Sequence, residues 1–85
     1  MTLTLRYFAW VREKVGRVEE QVSVPAGVTT VAELIAWLKT RGVEYEAAFA
    51  RAEVIRAAID HKHVKPAATL AGAREIAFFP PVTGG

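Results

Sequence analysis

Glu75-Ile76-Ala77-Phe78-Phe79-Pro80-Pro81-Val82-Thr83-Gly84-Gly85 closes the sequence, and its first five residues decide the fold. Ile76 and Phe78 alternate with Ala77 and Phe79, the period-two pattern of a strand that buries one face. Two prolines then stop it. Proline has no N–H for a ladder hydrogen bond and fixes φ near −65°, so Pro80-Pro81 ends pairing and begins a stiff, extended segment. Gly84-Gly85 follows, and a residue without Cβ threads channels closed to any side chain. Such a segment delivers its tip. The α-carboxylate of Gly85, with a reference pKa of about 3.3–3.7, is ionised at neutral pH and becomes an electrophile only after activation.

A matching pattern stands at the other end of the sequence. Leu3, Leu5 and Tyr7 alternate with Thr4, Arg6 and Phe8, which predicts a half-buried strand with the first three inward and Phe8 outward. These two strands carry the strongest apolar alternation and are expected to lie centrally and parallel. Between them, Ala9 to Val15 reads as a helical turn ended by Gly16. Val18 to Val24 reads as a strand with Val18, Val22 and Val24 on one face. Thr30 to Arg41 is the clearest helix: Thr30-Val31-Ala32-Glu33 has capping-box spacing, and Val31, Leu34, Ile35 and Leu38 share a face. Lys39 and Arg41 suit its C-terminal end, Gly42 stops it, and Trp37 flanks the apolar stripe.

Further along, Glu44 to Ala52 fits a second short helix or an ordered loop. Val54 to Ile59 reads as a third strand, Asp60 to His63 as a turn, Val64 as the start of a brief fourth strand. Leu70 anchors the connection from Pro66 to Gly72. The expected class is α+β, a mixed sheet with one main helix packed on one face. Residues 1–79 form the domain and 80–85 a flexible tail. A central parallel pair is the ubiquitin-like β-grasp arrangement, one of several topologies that this pattern permits.

Composition narrows the chemistry. With 85 residues, 52% hydrophobic and 24% charged, the chain is one globular domain that buries about 60–65% of its unfolded surface. A net charge of +2, spread without a basic run, points away from nucleic acid. No apolar stretch approaches the roughly 20 residues of a membrane span, and no signal architecture opens the sequence, so a cytoplasmic location is expected. The absence of cysteine excludes disulfides, thiolate metal sites and cysteine nucleophiles.

Side-chain chemistry is sparse. Asp60, His61 and His63 supply too few ligands for a zinc site and read as a solvated turn. Ser23 is the sole serine, set in a valine strand without an acid–histidine pair. Glu19-Glu20 and Glu44/Glu46 read as solvated faces. Phe8 and Phe79, both outward on neighbouring strands by parity, form an exposed aromatic patch of the kind that binds protein. These residues describe a carrier that docks through an apolar patch and inserts its tail into a partner's active site.

Leu5-Arg6-Tyr7-Phe8-Ala9-Trp10-Val11-Arg12-Glu13-Lys14-Val15-Gly16, together with the terminal stretch quoted above, resembles the small, sulfur-carrying subunit of molybdopterin synthase. The resemblance runs essentially end to end and implies the β-grasp fold. It also implies a cycle. An ATP-dependent adenylating enzyme activates Gly85, a sulfur donor converts the acyl-adenylate to a thiocarboxylate, and the large subunit accepts the tail. There sulfur passes to cyclic pyranopterin monophosphate to form the molybdopterin dithiolene. Two small and two large subunits would assemble as a heterotetramer. The small subunit binds no cofactor, and its partner consumes the ATP.

The same resemblance places Gly84 and Gly85 in the reaction. It gives Phe8, His63, Phe79, Pro80, Pro81, Val82 and Thr83 to the partner interface, with no metal, nucleic-acid or membrane contact. Two places depart from the family pattern. Ala71-Gly72-Ala73-Arg74 replaces a turn that usually reads Asp-Gly-Asp, and His63 stands where an apolar residue is common. Three other readings share part of this evidence: a thiamine-type sulfur carrier, a ubiquitin-like protein modifier, and an interaction module with an inert end.

Overall fold

The computed structural model describes residues 1–81. Strand β1 (Thr2–Tyr7) leads into helix α1 (Ala9–Val15) and strand β2 (Glu19–Ser23). Helices α2 (Val31–Leu38) and α3 (Val43–Ala48) follow, then a 3₁₀ turn at Ala52–Val54. Strands β3 (Arg56–Ile59), β4 (Lys62–Val64) and β5 (Glu75–Phe79) complete the order. The sheet runs β2-β1-β5-β3-β4. β5 occupies the middle and pairs in parallel with β1, as the two alternating patterns predicted. Every other pairing is antiparallel.

Alternation in β1 and β5 buries Leu3, Leu5, Tyr7, Ile76 and Phe78 completely, against the α2 face of Val31, Leu34, Ile35 and Leu38. Tyr7 and Phe78 stack with ring centres 6.3 Å apart, and Phe49 meets Phe78 edge-on at 5.2 Å. Both spacings suit attractive aromatic geometry. Truncating any of these rings would cost about 3–5 kcal/mol. The capping box forms as read: Glu33 N donates to Thr30 Oγ1 at 3.2 Å, and Thr30 N to Glu33 Oε1 at 3.1 Å. The amide of Thr29 adds a bond to the same carboxylate at 2.7 Å. These donors, the Thr29 amide foremost, hold Glu33 below its ordinary carboxyl range.

Several boundaries move, each for a local reason. Helix α2 ends at Leu38, short of Arg41. The hydroxyl of Thr40 donates to the Trp37 carbonyl at 2.6 Å, and the amides of Thr40 and Arg41 bond Trp37 and Leu38 three residues back. That tightens the chain out of α-helical geometry. Val18 is 59% exposed and lies before β2, so it does not share the buried face of Val22 and Val24. There the chain is still leaving the left-handed turn at Gly16, whose φ is 83°. The third strand begins at Arg56, because Val54 belongs to the 3₁₀ turn. The expected four-residue turn before Val64 is a two-residue one, with Asp60 and His61 at φ 47° and 74°. His63 therefore sits in β4, opposite Ala58.

Glu20 departs furthest from expectation. The register sets it beside Leu5 on the inward face, and its side chain is only 8% exposed. It is not part of a solvated face. Its carboxylate accepts hydrogen bonds from the phenols of Tyr7 at 2.8 Å and Tyr45 at 2.6 Å, and Arg41 Nη1 reaches it at 3.3 Å. A carboxylate goes under a sheet only with such company.

Candidate docking face and C-terminal segment

Strand parity builds the site. On β5, Ile76 and Phe78 face the core, so Ala77 and Phe79 face outward. The register then aligns Arg6, Ala77, Ala58 and His63 across four strands on that outer face. Ala58 is only 7% exposed yet stands apart from the core cluster, so neighbours on the outer face cover it. His63 is among them: its ring packs against Phe79 at 5.1 Å, tilted by 53°. Phe8 lies where β1 ends and is 38% exposed, and its amide bonds the Phe78 carbonyl at 3.1 Å. Phe8 and Phe79 thus meet the same end of the outer face, as parity predicted. The turn out of β1 passes through Ala9 at φ 52°. A left-handed backbone costs an L-residue roughly 1–2 kcal/mol, and such strain gathers at functional sites.

Pro80 and Pro81 continue directly from β5 and are half-buried. The central strand therefore exits beside the Phe8–Phe79–His63 patch. Val82, Thr83, Gly84 and Gly85, expected to form the tail and the reactive end, lie outside the described residues. Among the interface residues read from sequence, Phe8, His63, Phe79, Pro80 and Pro81 come together at one end of one face. Arg6 was not singled out. It stands two residues before Phe8 on the same side, with its guanidinium 5.3 Å from the Phe8 ring centre. The β1 parity that exposed Phe8 carried that signal too.

At the end of the sheet opposite the patch, the Ala71–Arg74 turn is tied down by a carboxylate from another strand connection. Asp60 Oδ1 accepts from the amides of Arg74 at 3.2 Å and Glu75 at 3.0 Å, tying the start of β5 to the β3–β4 turn. His61 and His63 part company, one in the turn and one in β4. Among the described residues no group of three or more His, Cys, Asp or Glu could hold a metal ion, and no helix is long and apolar enough to cross a membrane.

Comparison with known proteins agrees with this geometry. No curated protein matches the sequence. Among solved structures, a protein from Pyrococcus furiosus described as molybdopterin converting factor subunit 1 superposes with a TM-score of 0.74 at 23% identity. That match covers 96% of this chain and 99% of the other. SAMP1 from Haloferax volcanii gives 0.72 at 22% identity, with all of both chains covered. The small archaeal modifier protein 1 of Methanosarcina acetivorans gives 0.69 at 20%, covering 99% of this chain and 96% of that one. At these identities the likeness establishes the ubiquitin-like β-grasp fold. The family is established by sequence: the ThiS family model matches residues 5–85, nearly the whole chain, so this protein belongs to the ThiS family of ubiquitin-like sulfur carriers.

Proposed function

We infer that this chain is the sulfur-carrying small subunit of molybdopterin synthase, with the Gly85 carboxylate as its working group. The observation that carries the reading is the convergence of Phe8, His63 and Phe79 at the point where β5 passes into Pro80-Pro81. A patch at a strand's exit fixes a partner at a set distance from the segment that follows. An adenylating enzyme would join the carboxylate to AMP, releasing pyrophosphate from ATP. Sulfide from a donor then attacks the acyl carbon and AMP leaves, giving a thiocarboxylate. The large subunit would receive the tail and direct that sulfur to cyclic pyranopterin monophosphate. This chain supplies the handle and the sulfur; the catalytic side chains belong to its partners.

A second reading rests on the solved structures described as small archaeal modifier proteins. The same acyl-adenylate attacked by a lysine amine instead of sulfide would give an isopeptide bond, and this chain would be a modifier. Mass spectrometry separates the two. Incubation with the organism's adenylating enzyme, ATP and a sulfur donor is expected to replace one oxygen by sulfur in the intact chain. An unchanged mass under conditions that activate a control carrier would overturn the carrier reading. Conjugates to lysine without any sulfur-bearing species would favour the modifier.

The patch makes its own prediction. Phe79→Asp is expected to leave the fold intact, because Phe79 lies outside the core cluster. It should raise the dissociation constant for the large subunit by about tenfold or more, since a carboxylate must be desolvated where an aromatic anchor was. Calorimetry showing unchanged affinity would remove Phe79 from the interface.

A further inference from the structure

Arg6 stands on the outer face of β1 beside the aromatic patch, and among the described residues it is loosely held. Its Nε is buried and has no hydrogen-bond partner. The nearby carboxylates, Glu19 on β2 and Glu75 on β5, lie 3.8 and 3.9 Å from its nitrogens. Those distances fall within ion-pair range and beyond hydrogen-bond length. Glu20, on the other side of the sheet, shows the contrast: there phenols close to 2.6 and 2.8 Å on one carboxylate. A guanidinium is satisfied by a planar carboxylate that takes two parallel N–H bonds, and neither glutamate offers that here.

A second arginine stands beside the patch. Arg56 is exposed opposite Phe79 in the register, and its only described side-chain hydrogen bond is one of 3.4 Å to the Glu53 carbonyl. A guanidinium therefore stands beside each of the two aromatics, and the carboxylates nearest Arg6, Glu19 and Glu75, come only to 3.8 and 3.9 Å. A neutral or basic partner seated on Phe8 and Phe79 would cover the Arg6 fork with only those two long contacts and no close hydrogen bond from a carboxylate, which is unfavourable.

We propose that Arg6 is a specificity residue of the docking face, and that the protein seated on Phe8 and Phe79 sets a carboxylate against its guanidinium. On docking, the loose contacts to Glu19 and Glu75 give way to a paired contact across the interface. The partner surface is thus an apolar socket with an aspartate or glutamate at its rim. This rests on the reading that the outer face docks the adenylating enzyme that acts on Gly85, and deepens it by naming what that enzyme must present.

The test uses the full chain and the adenylating enzyme of the same organism. Arg6→Gln is expected to melt at the wild-type temperature and to bind the enzyme about tenfold more weakly, with a shallower salt dependence. Arg6→Lys, which keeps the charge but not the fork, is expected to recover only part of the affinity. An Arg6→Gln chain that folds, binds as tightly as wild type and keeps the same salt slope overturns the proposal. The Arg6 Nε–H resonance gives a readout that needs no variant. It should shift when the enzyme is added and stay put when the chain is truncated after Pro81. A shift on truncation alone would assign the carboxylate to the chain's own terminus and overturn the proposal. Failure of wild type to be adenylated at all would instead strike the carrier reading, which the mass measurement reports separately.

Discussion

A chain lacking Gly85 is expected to fold and dock as the full chain does, yet to lose activation almost entirely. Removing one residue leaves a carboxylate, now on Gly84, but withdraws it by roughly 3.5 Å along an extended backbone. Reacting atoms need to lie about 3–3.5 Å apart, and a misplacement of about 1 Å is worth up to a hundredfold in rate. The shortened tail cannot close that gap, because its origin is fixed. β5 is locked between β1 and β3, Pro80-Pro81 is stiff, and in the proposed docking the aromatic patch holds the partner. Adenylation should therefore fall by at least about a hundredfold, followed by ATP–pyrophosphate exchange. Partner affinity should remain, since Phe8 and Phe79 are untouched. Gly85→Ala keeps the length and adds only a methyl group, so a loss there would show that the channel excludes Cβ. A Gly85-less chain that still acquires sulfur would mean that the working group lies elsewhere. One that lost nothing in any assay would fit an inert interaction module.

How much of this was legible beforehand depended on whether a residue's environment is set locally. The buried faces of β1 and β5 were readable because period-two burial over five or six residues fixes the face, whereas their parallel pairing was one of several orders that the pattern allowed. The Thr30–Glu33 box was readable because both partners lie within one helical turn. Helix α3 was half-legible: Tyr45, Ala48, Phe49 and Ala52 fall at helical spacing, and three of them are buried, Phe49 completely. The abundance of glutamate and alanine there masked that stripe. Glu20 was legible only in part, since it shares the parity of Val22 and Val24 but its partners lie far off in sequence. Its burial depends on two tyrosines and an arginine that lie 13, 25 and 21 residues away, and no local pattern joins them. The same holds for the Asp60 carboxylate, which caps amides 14 and 15 residues downstream. The patch itself was read from parity, whereas the pairing of His63 with Phe79 required knowing that the turn before β4 has two residues and not four.

Glu20→Ala is expected to destabilise the fold by about 3 kcal/mol, measured by urea unfolding near pH 7. The substitution leaves the buried Tyr7 hydroxyl without its acceptor, strips Tyr45 of its shortest bond, and frees Arg41 from its carboxylate. Glu20→Gln retains an oxygen acceptor and should cost about a third as much. The pH dependence identifies the charge. Burial pushes the Glu20 carboxyl upward, but the hydrogen bonds from Tyr45 and Tyr7 and the charge of Arg41 outweigh it and hold the group below its ordinary value. Its contribution is thus present above the unfolded value of about 4.3 and is lost as pH falls through the lower folded one. Glu33, lowered by its cap donors, adds to the same acid limb, so Glu20→Gln should flatten that limb only in part. At the alkaline end the sign reverses. Burial, then the hydrogen bond to Glu20, raises the phenol of Tyr7, and the same two causes raise Tyr45. The unfolded phenols ionise near pH 10 while the folded ones stay protonated, so stability declines as pH climbs above about 10. Tyr7→Phe should remove much of that decline. An alkaline limb identical in Tyr7→Phe and wild type, or an acid limb untouched in Glu20→Gln, would mean that the cluster is not the fold's polar anchor beneath the sheet.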